Sequence, residues 1–214
     1  INNRLCAFLE ENSHLGEEQA GFRSSYSVTD HIFTLHSIIE FFLSKKKRLY
    51  CVFADYEKAF DLVDRSLLGQ KLLDLSINGK ILRVIQDLYS KAKSQVQYGP
   101  IPSLGGFPGC NAGIRQGENL SPLLFAIFLN DLKMFLSVKM HGLDVLKTEA
   151  VNVNMNDESI DVLYRMFVLL YADDTVIFAE TVNDLQSSLD AMHEYCIKFK
   201  LKVNAAKTKV VVFS

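Results

Sequence analysis

Cysteine is sparse and poorly spaced for chemistry. The four cysteines, Cys6, Cys51, Cys110 and Cys196, stand far apart and include no C-x-x-C pair. That pattern argues against a disulfide scaffold and for a reduced, intracellular setting. The five histidines do not sit at zinc spacing from the cysteines, so no structural zinc is expected. Long apolar runs are lacking as well. The longest, Leu123 to Leu129, is far too short to cross a bilayer, so no membrane partner is expected. The opening Ile1-Asn2-Asn3-Arg4 leads into no apolar run of signal-peptide length. There is no excess of positive charge: the formal net charge is −2, whereas proteins that grip a nucleic-acid backbone usually present a basic face. Lys45-Lys46-Lys47-Arg48 is the only dense basic run, and it fits a solvated loop as well as a phosphate contact. No internal repeat or low-complexity tract breaks the chain.

What is present suits a packed domain. The 214 residues, 49% hydrophobic and 22% charged, suffice for one domain or two small ones. Spacing of Ile32, Leu35, Ile38, Ile39 and Phe42 predicts a helix over Thr29 to Leu43. Leu49 to Ala54 reads as a short buried strand. Two helices are expected between Asp64 and Ser90, broken at Ile77-Asn78-Gly79. Ser94 to Tyr98 reads as a strand and Gly99 to Gly113 as loop. Ser121-Pro122 predicts a helix start with Ser as N-cap and Pro at the first position, the helix running to about Leu136. Residues 137 to 164 lack a period and read as a connector. Leu185, Leu189, Met192, Cys196 and Phe199 define an amphipathic helix over Thr181 to Phe199. A last strand spans Lys207 to Phe213. A strand pattern reaching the terminus, with no initial Met, suggests an internal piece of a longer protein. The expected fold is α+β, helices packed on one face of a mainly antiparallel sheet.

The chemistry concentrates in acids. Asp173 and Asp174 follow the apolar run Met166 to Leu170 and precede Thr175-Val176-Ile177-Phe178, which predicts a hairpin with both carboxylates at its tip. An ordinary polar turn would read the same way. Two adjacent like charges are costly unless a cation lies between them and their partners, and a hard ion such as Mg²⁺ suits oxygen ligands. Asp55 ends the strand at Leu49 to Ala54, where a carboxylate is exposed without disturbing the core. Were that strand beside the hairpin, Asp55, Asp173 and Asp174 would converge and could hold paired metal ions for phosphoryl displacement. Clustered acids also suit a metal-dependent nuclease, although no histidine general base accompanies them.

Ordered motifs narrow the choice. Phe53-Ala54-Asp55-Tyr56-Glu57-Lys58-Ala59-Phe60-Asp61, Gly113-Ile114-Arg115-Gln116-Gly117-Glu118-Asn119-Leu120-Ser121-Pro122 and Leu170-Tyr171-Ala172-Asp173-Asp174 resemble motifs A, B and C of reverse transcriptases of the non-LTR retrotransposon kind. Gln19-Ala20-Gly21-Phe22-Arg23 resembles the fingers motif before them, and Leu201 to Lys209 resembles motif D. The resemblance runs from residue 19 to 209 and implies a polymerase palm with interleaved fingers segments and no thumb. Fingers would lie at roughly 1–48 and 66–115, palm at roughly 49–65 and 116–214. It implies RNA-directed DNA synthesis with an RNA template, a DNA primer, deoxynucleoside triphosphates and two Mg²⁺ ions, Mn²⁺ being a substitute. Asp55, Asp173 and Asp174 would hold the metal, with Lys207 protonating departing pyrophosphate. Phe60 would block a 2′-hydroxyl, and Gln116 and Gly117 would flank nucleotide and template base. Arg23 and Tyr56 are further candidate substrate contacts. The same resemblance implies nucleus and cytoplasm as the location. An inactive, nucleic-acid-binding remnant of such an element is the alternative. Glu118-Asn119 departs from the Asp followed by Pro or Ser that is common in relatives.

Overall fold

In the computed structural model, residues 1–23, 26–91, 97–98, 101–102, 112–139, 143–144, 165–166 and 168–214 are described. In chain order the elements are α1 (Asn2–Glu11), α2 (Val28–Ser44), β1 (Leu49–Ala54), α3 (Ala59–Leu62), α4 (Arg65–Asp74) and α5 (Gly79–Ser90). Next come β2 (Gln97–Tyr98), β3 (Ile101–Pro102), α6 (Ser121–Leu129), α7 (Leu132–Ser137), β4 (Leu143–Asp144) and β5 (Arg165–Met166). The chain closes with β6 (Val168–Tyr171), β7 (Asp174–Ala179), α8 (Val182–Phe199) and β8 (Lys209–Phe213). Most of the expected Gly99 to Gly113 loop and of the 137 to 164 connector lies outside the described residues.

Four strands form an antiparallel sheet in the order β6-β7-β1-β8. Strand β1 is apolar at every position, so both of its faces need cover. Val52 and Ala54 join the larger core, against α1, α4, α5, α6 and α8. Leu49 and Cys51 face the other way and pack with Ile38 and Phe42 of α2, Leu169 and Phe178. The main helical layer therefore lies on one face, as expected of this α+β fold, while α2 covers part of the opposite face.

Local chemistry sets the helix ends. Ser27 caps α2 in a reciprocal capping box with Asp30, worth about 1 kcal/mol. Asp64 caps α4 through the backbone amides of Ser66 and Leu67, and Thr181 caps α8 through Asp184. Helix α6 departs from expectation. Its N-cap is Leu120 and Ser121 lies inside the helix, fully buried, its hydroxyl bonded to that of Tyr89 at 3.1 Å. The helix stops at Leu129 because Asn130 and Asp131 turn to tertiary partners. Asn130 accepts from the Gly16 amide at 3.1 Å and donates to the His14 carbonyl at 2.7 Å. Every residue from Leu123 to Leu129 is buried, as a helix apolar all round must be.

Candidate active site

The hairpin is as short as the sequence implies. Tyr171 pairs with Asp174, leaving Ala172 and Asp173 as the turn. Strand β1 lies beside β7 with Ala54 opposite Thr175; continued by one residue, that register sets Asp55 opposite Asp174. Asp55 keeps 26% of its side-chain surface exposed, Asp173 is half-buried and Asp174 is exposed. The Asp174 carboxyl is held above the usual carboxylate range by partial desolvation, then by the charges of Asp173 and Asp55, with Lys207 opposing. Four predicted site residues thus share one electrostatic neighbourhood. The Lys207 ammonium stands 3.6 Å from Asp55 Oδ2 and is 70% exposed, an exposed pair of small energetic weight.

Backbone bonds from the segment after α8 fix Asp55. Its amide donates to Thr208 Oγ1 at 3.3 Å, its carbonyl accepts from the Asn204 amide at 2.8 Å, and the Glu57 amide donates to the Lys202 carbonyl at 2.7 Å. Thr208 and Asn204 thus brace the acid from far along the chain. No property of their own types marks them for that role; only their place in the motif D stretch hinted at it. Tyr56 is 3% exposed, and burial first, with Cys196 next, drives its hydroxyl pKa upward. Its side chain belongs to the core, so a substrate contact at Tyr56 would fall to its backbone. Phe60 is half-buried, stacked on Phe125 with ring centroids 4.9 Å apart and planes inclined by 22°.

The motif B loop docks on the segment that follows Asp55. The Gly113 amide donates to the Val63 carbonyl at 2.8 Å and the Ile114 amide to the Phe60 carbonyl at 2.9 Å. Gly113 has φ +84°, and a Cβ there would lie 2.8 Å from the Asp61 carbonyl oxygen. Only glycine satisfies both the conformation and the approach. Arg65 secures the loop by donating to the carbonyls of Gly113 at 2.8 Å and Ala112 at 3.1 Å, and to Tyr89 at 2.9 Å. That role escaped the sequence, because its partners lie on two distant segments. Gln116 and Gly117 are exposed beyond the docked part of the loop, and Arg115 pairs with Glu118 at 2.7 Å.

The segment from Gln19 to Arg23 and the residues before it pack on the β6–β7 hairpin. Leu170 donates its amide to the Glu18 carbonyl at 2.7 Å, and its carbonyl accepts from Ala20 at 3.0 Å. Arg23 points inward. Its guanidinium grips both oxygens of Glu10 at 2.9 and 2.8 Å and donates to the carbonyls of Gly16 and Gln19, with 4% of the side chain exposed. These four bonds tie α1 to this loop, and a triphosphate or template contact would require Arg23 to exchange some of them.

Asp55 Oδ2 is buried without a hydrogen-bond partner among the described residues; its one ion-pair contact is the exposed Lys207 at 3.6 Å, and two further carboxylates stand nearby. Hard oxygen donors with a deficit of positive charge fit divalent ions of the Mg²⁺ type. As the side chains stand, no three His, Cys, Asp or Glu among the described residues are drawn tightly enough to close around one ion.

Comparison with known proteins agrees with this geometry. The family model described as reverse transcriptase (RNA-dependent DNA polymerase) matches residues 1–212. The chain is 26% identical over its whole length to the RNA-directed DNA polymerase from mobile element jockey of Drosophila funebris, covering 22% of that protein. It is 30% identical, over 86% of its length, to a Pol polyprotein from type-1 retrotransposable element R2 of Nasonia vitripennis, covering 16% of it. The chain therefore spans about a fifth of the length of the curated relatives it matches. These relatives are of the non-LTR kind that the motifs resemble. Among solved structures, a telomerase from Candida albicans in complex with a fragment of telomeric RNA matches 98% of this chain and 35% of its own, with TM-score 0.67 and 15% identity. A truncated apo telomerase from Candida tropicalis matches 99% of this chain and 39% of its own, with TM-score 0.66 and 15% identity. At that identity the likeness establishes the palm fold. On the full-length family match and the acids its folding gathers, the chain belongs to the reverse transcriptase family.

Proposed function

We propose that this chain is the catalytic core of an RNA-directed DNA polymerase of a non-LTR retrotransposon. It extends a DNA primer on an RNA template with deoxynucleoside triphosphates, acting in the nucleus and cytoplasm. One observation carries the reading: Asp55 leaves β1 directly opposite the Asp173–Asp174 turn, with a buried carboxylate oxygen that has no hydrogen-bond partner among the described residues and only the exposed Lys207 as counter-charge. Asp55, Asp173 and Asp174 would hold two Mg²⁺ ions, with Mn²⁺ as a substitute. Such ions, when bound, supply an acidified primer hydroxyl and neutralised charge on the leaving pyrophosphate. Around them, Lys207 offers a proton to that leaving group from its position beside Asp55. Phe60 forms a rigid floor under the sugar because Phe125 supports its ring. Gln116 and Gly117 face the incoming nucleotide and template base from a loop pinned by Gly113 and Arg65. Fingers would comprise roughly 1–48 and 66–115, and palm roughly 49–65 and 116–214.

Primer extension on an RNA template by the full-length protein, with and without Mg²⁺, tests this. Asp55→Asn and Asp173→Asn should each lower the rate by roughly a thousandfold or more, the equivalent of several kcal/mol of lost charge stabilisation. Circular dichroism should stay unchanged. Extension by either variant at the wild-type rate refutes the assignment. Tight binding of an RNA–DNA duplex by a wild-type protein that never extends it would identify an inactive remnant instead.

A further inference from the structure

Gln19 is 1% exposed and sits where the fingers loop meets the catalytic hairpin, forming a single bridge to Leu170. Its side-chain Oε1 accepts two backbone hydrogen bonds, from the Gly21 amide at 2.8 Å and from the Ala172 amide at 3.1 Å. Ala172 is the first residue of the turn that presents Asp173, and its φ is +59°. For an L-residue the left-handed region costs about 1 kcal/mol, so the turn needs something to hold it. Contact between the segments is close: a Cβ on Gly21 would lie 2.2 Å from the Ala172 amide nitrogen. Only glycine lets the loop approach near enough for Gln19 to reach both amides.

We propose that Gln19 is a positioning residue, whose amide oxygen locks Ala172 in the left-handed turn and thereby sets the direction of Asp173. The consequence for metal binding rests on the polymerase reading; the clamp on the turn does not. Gln19 Nε2 has no hydrogen-bond partner among the described residues. Methionine, of similar length, deletes the acceptor and removes an unsatisfied buried donor, but leaves the Gly21 and Ala172 amides without that acceptor; exchange in 123–129 and 185–199 therefore serves as the control for the global fold.

Two readouts on the full-length protein test the proposal. Without metal, Gln19→Met should speed amide hydrogen exchange across 168–176 by about tenfold, the loss of one buried hydrogen bond, and leave 123–129 and 185–199 unchanged. Unchanged exchange in the hairpin, or equal acceleration everywhere, overturns the clamp. In Mn²⁺ titrations followed by electron paramagnetic resonance, Gln19→Met should weaken the Asp173-dependent site several-fold. Adding Ala172→Gly should restore much of it, because glycine adopts positive φ unaided. Unaltered Mn²⁺ affinity, or failure of Ala172→Gly to restore it, overturns the positioning role. A wild-type protein with no Asp173-dependent Mn²⁺ binding refutes the polymerase reading alone, and the exchange result still decides the clamp.

Discussion

Phe60 has an observed contact and a proposed duty, and one substitution probes both. Its ring lies flat on Phe125, so Phe60→Val removes core contact as well as bulk at the proposed sugar site. A truncation of this size costs roughly 1–3 kcal/mol of stability at a half-buried position. If the ring also excludes a 2′-hydroxyl, the ratio of kcat/KM for ribonucleotides over deoxynucleotides should rise by about 10- to 100-fold, the usual yield of a small steric change. A lowered Tm with unchanged sugar discrimination would leave Phe60 as core alone. Asp174 carries a second residue-scale expectation. Its folded-state pKa is raised, by partial desolvation and by Asp173 and Asp55, so the folded protein binds this proton more tightly than the unfolded chain. The stabilisation is present below the unfolded pKa and is lost as pH rises through the folded one. In EDTA, Asp174→Asn should therefore match the wild type in Tm below about pH 4 and exceed it near pH 7. A variant that is less stable than wild type at pH 7 would contradict the repulsion. At this scale the three acids and Phe60 were legible because each stands in a local motif. Gln19, Arg65, Asn204 and Thr208 were not legible in these roles, since their partners come from distant segments.

Among elements, the junction of α4 with α6, α7 and α8 turns on Lys71. The residue is 8% exposed, its ammonium bonded to the Phe128 carbonyl and Asp131 carboxylate and to Tyr195 Oη at 3.1 Å. It also lies 3.7 Å from the Phe199 ring centroid. Burial outweighs attraction to Asp131 and lowers the Lys71 pKa to about 8; Lys198 adds to the lowering and Asp74 opposes it. Between about pH 8 and the ordinary lysine value of 10.5 the unfolded chain keeps a proton that the folded one has released, so stability from this group rises with pH. The shift corresponds to a penalty on the order of 3 kcal/mol for holding the charge inside at neutral pH. The single Tyr195 hydroxyl proton can still go to Asp131 at 2.7 Å or to the Phe128 carbonyl at 3.2 Å, and the Asp131 side chain is 37% exposed to water, so Lys71→Met leaves the carboxylate solvated and the carbonyl within reach of Tyr195. Urea unfolding should find Lys71→Met as stable as wild type or more so at pH 7, with the gap narrowing by pH 9.5. A loss at pH 7 would show that the buried pair stabilises the junction. Helix boundaries were legible where caps are local, as for α4 and α8. Helix α1 was missed because only Leu5 and Leu9 mark its buried side and Ile1 supplies no side-chain cap. The break after α6 was missed because Asn130 and Asp131 act through tertiary bonds.

For the whole molecule, the sequence left the pairing of β1 with the hairpin as a condition, which the β1–β7 register meets, and it could not order the sheet. Placing β8 on the free side of β1 depends on strand pairings between remote segments. Apolar residues on both faces of β1 likewise require two layers without saying which helix supplies the second. The same topology makes the candidate site a stress on the fold. Asp55 and the Asp173–Asp174 turn are carried by adjacent strands of the central sheet, so their repulsion acts between β1 and β7. Ions that bind only the folded arrangement must stabilise the entire domain, by about 2.7 kcal/mol at a hundredfold excess over Kd. The wild-type Tm should therefore climb with Mg²⁺ and fall back in EDTA, whereas Ca²⁺-free Na⁺ at equal ionic strength should reproduce only the screening part. Asp173→Asn should start from a higher Tm in EDTA, having lost one repelling charge, and should lose most of the Mg²⁺ response. If that variant kept the full Mg²⁺ shift, the ions would be binding elsewhere, and the acids at the strand ends would have to answer to another partner.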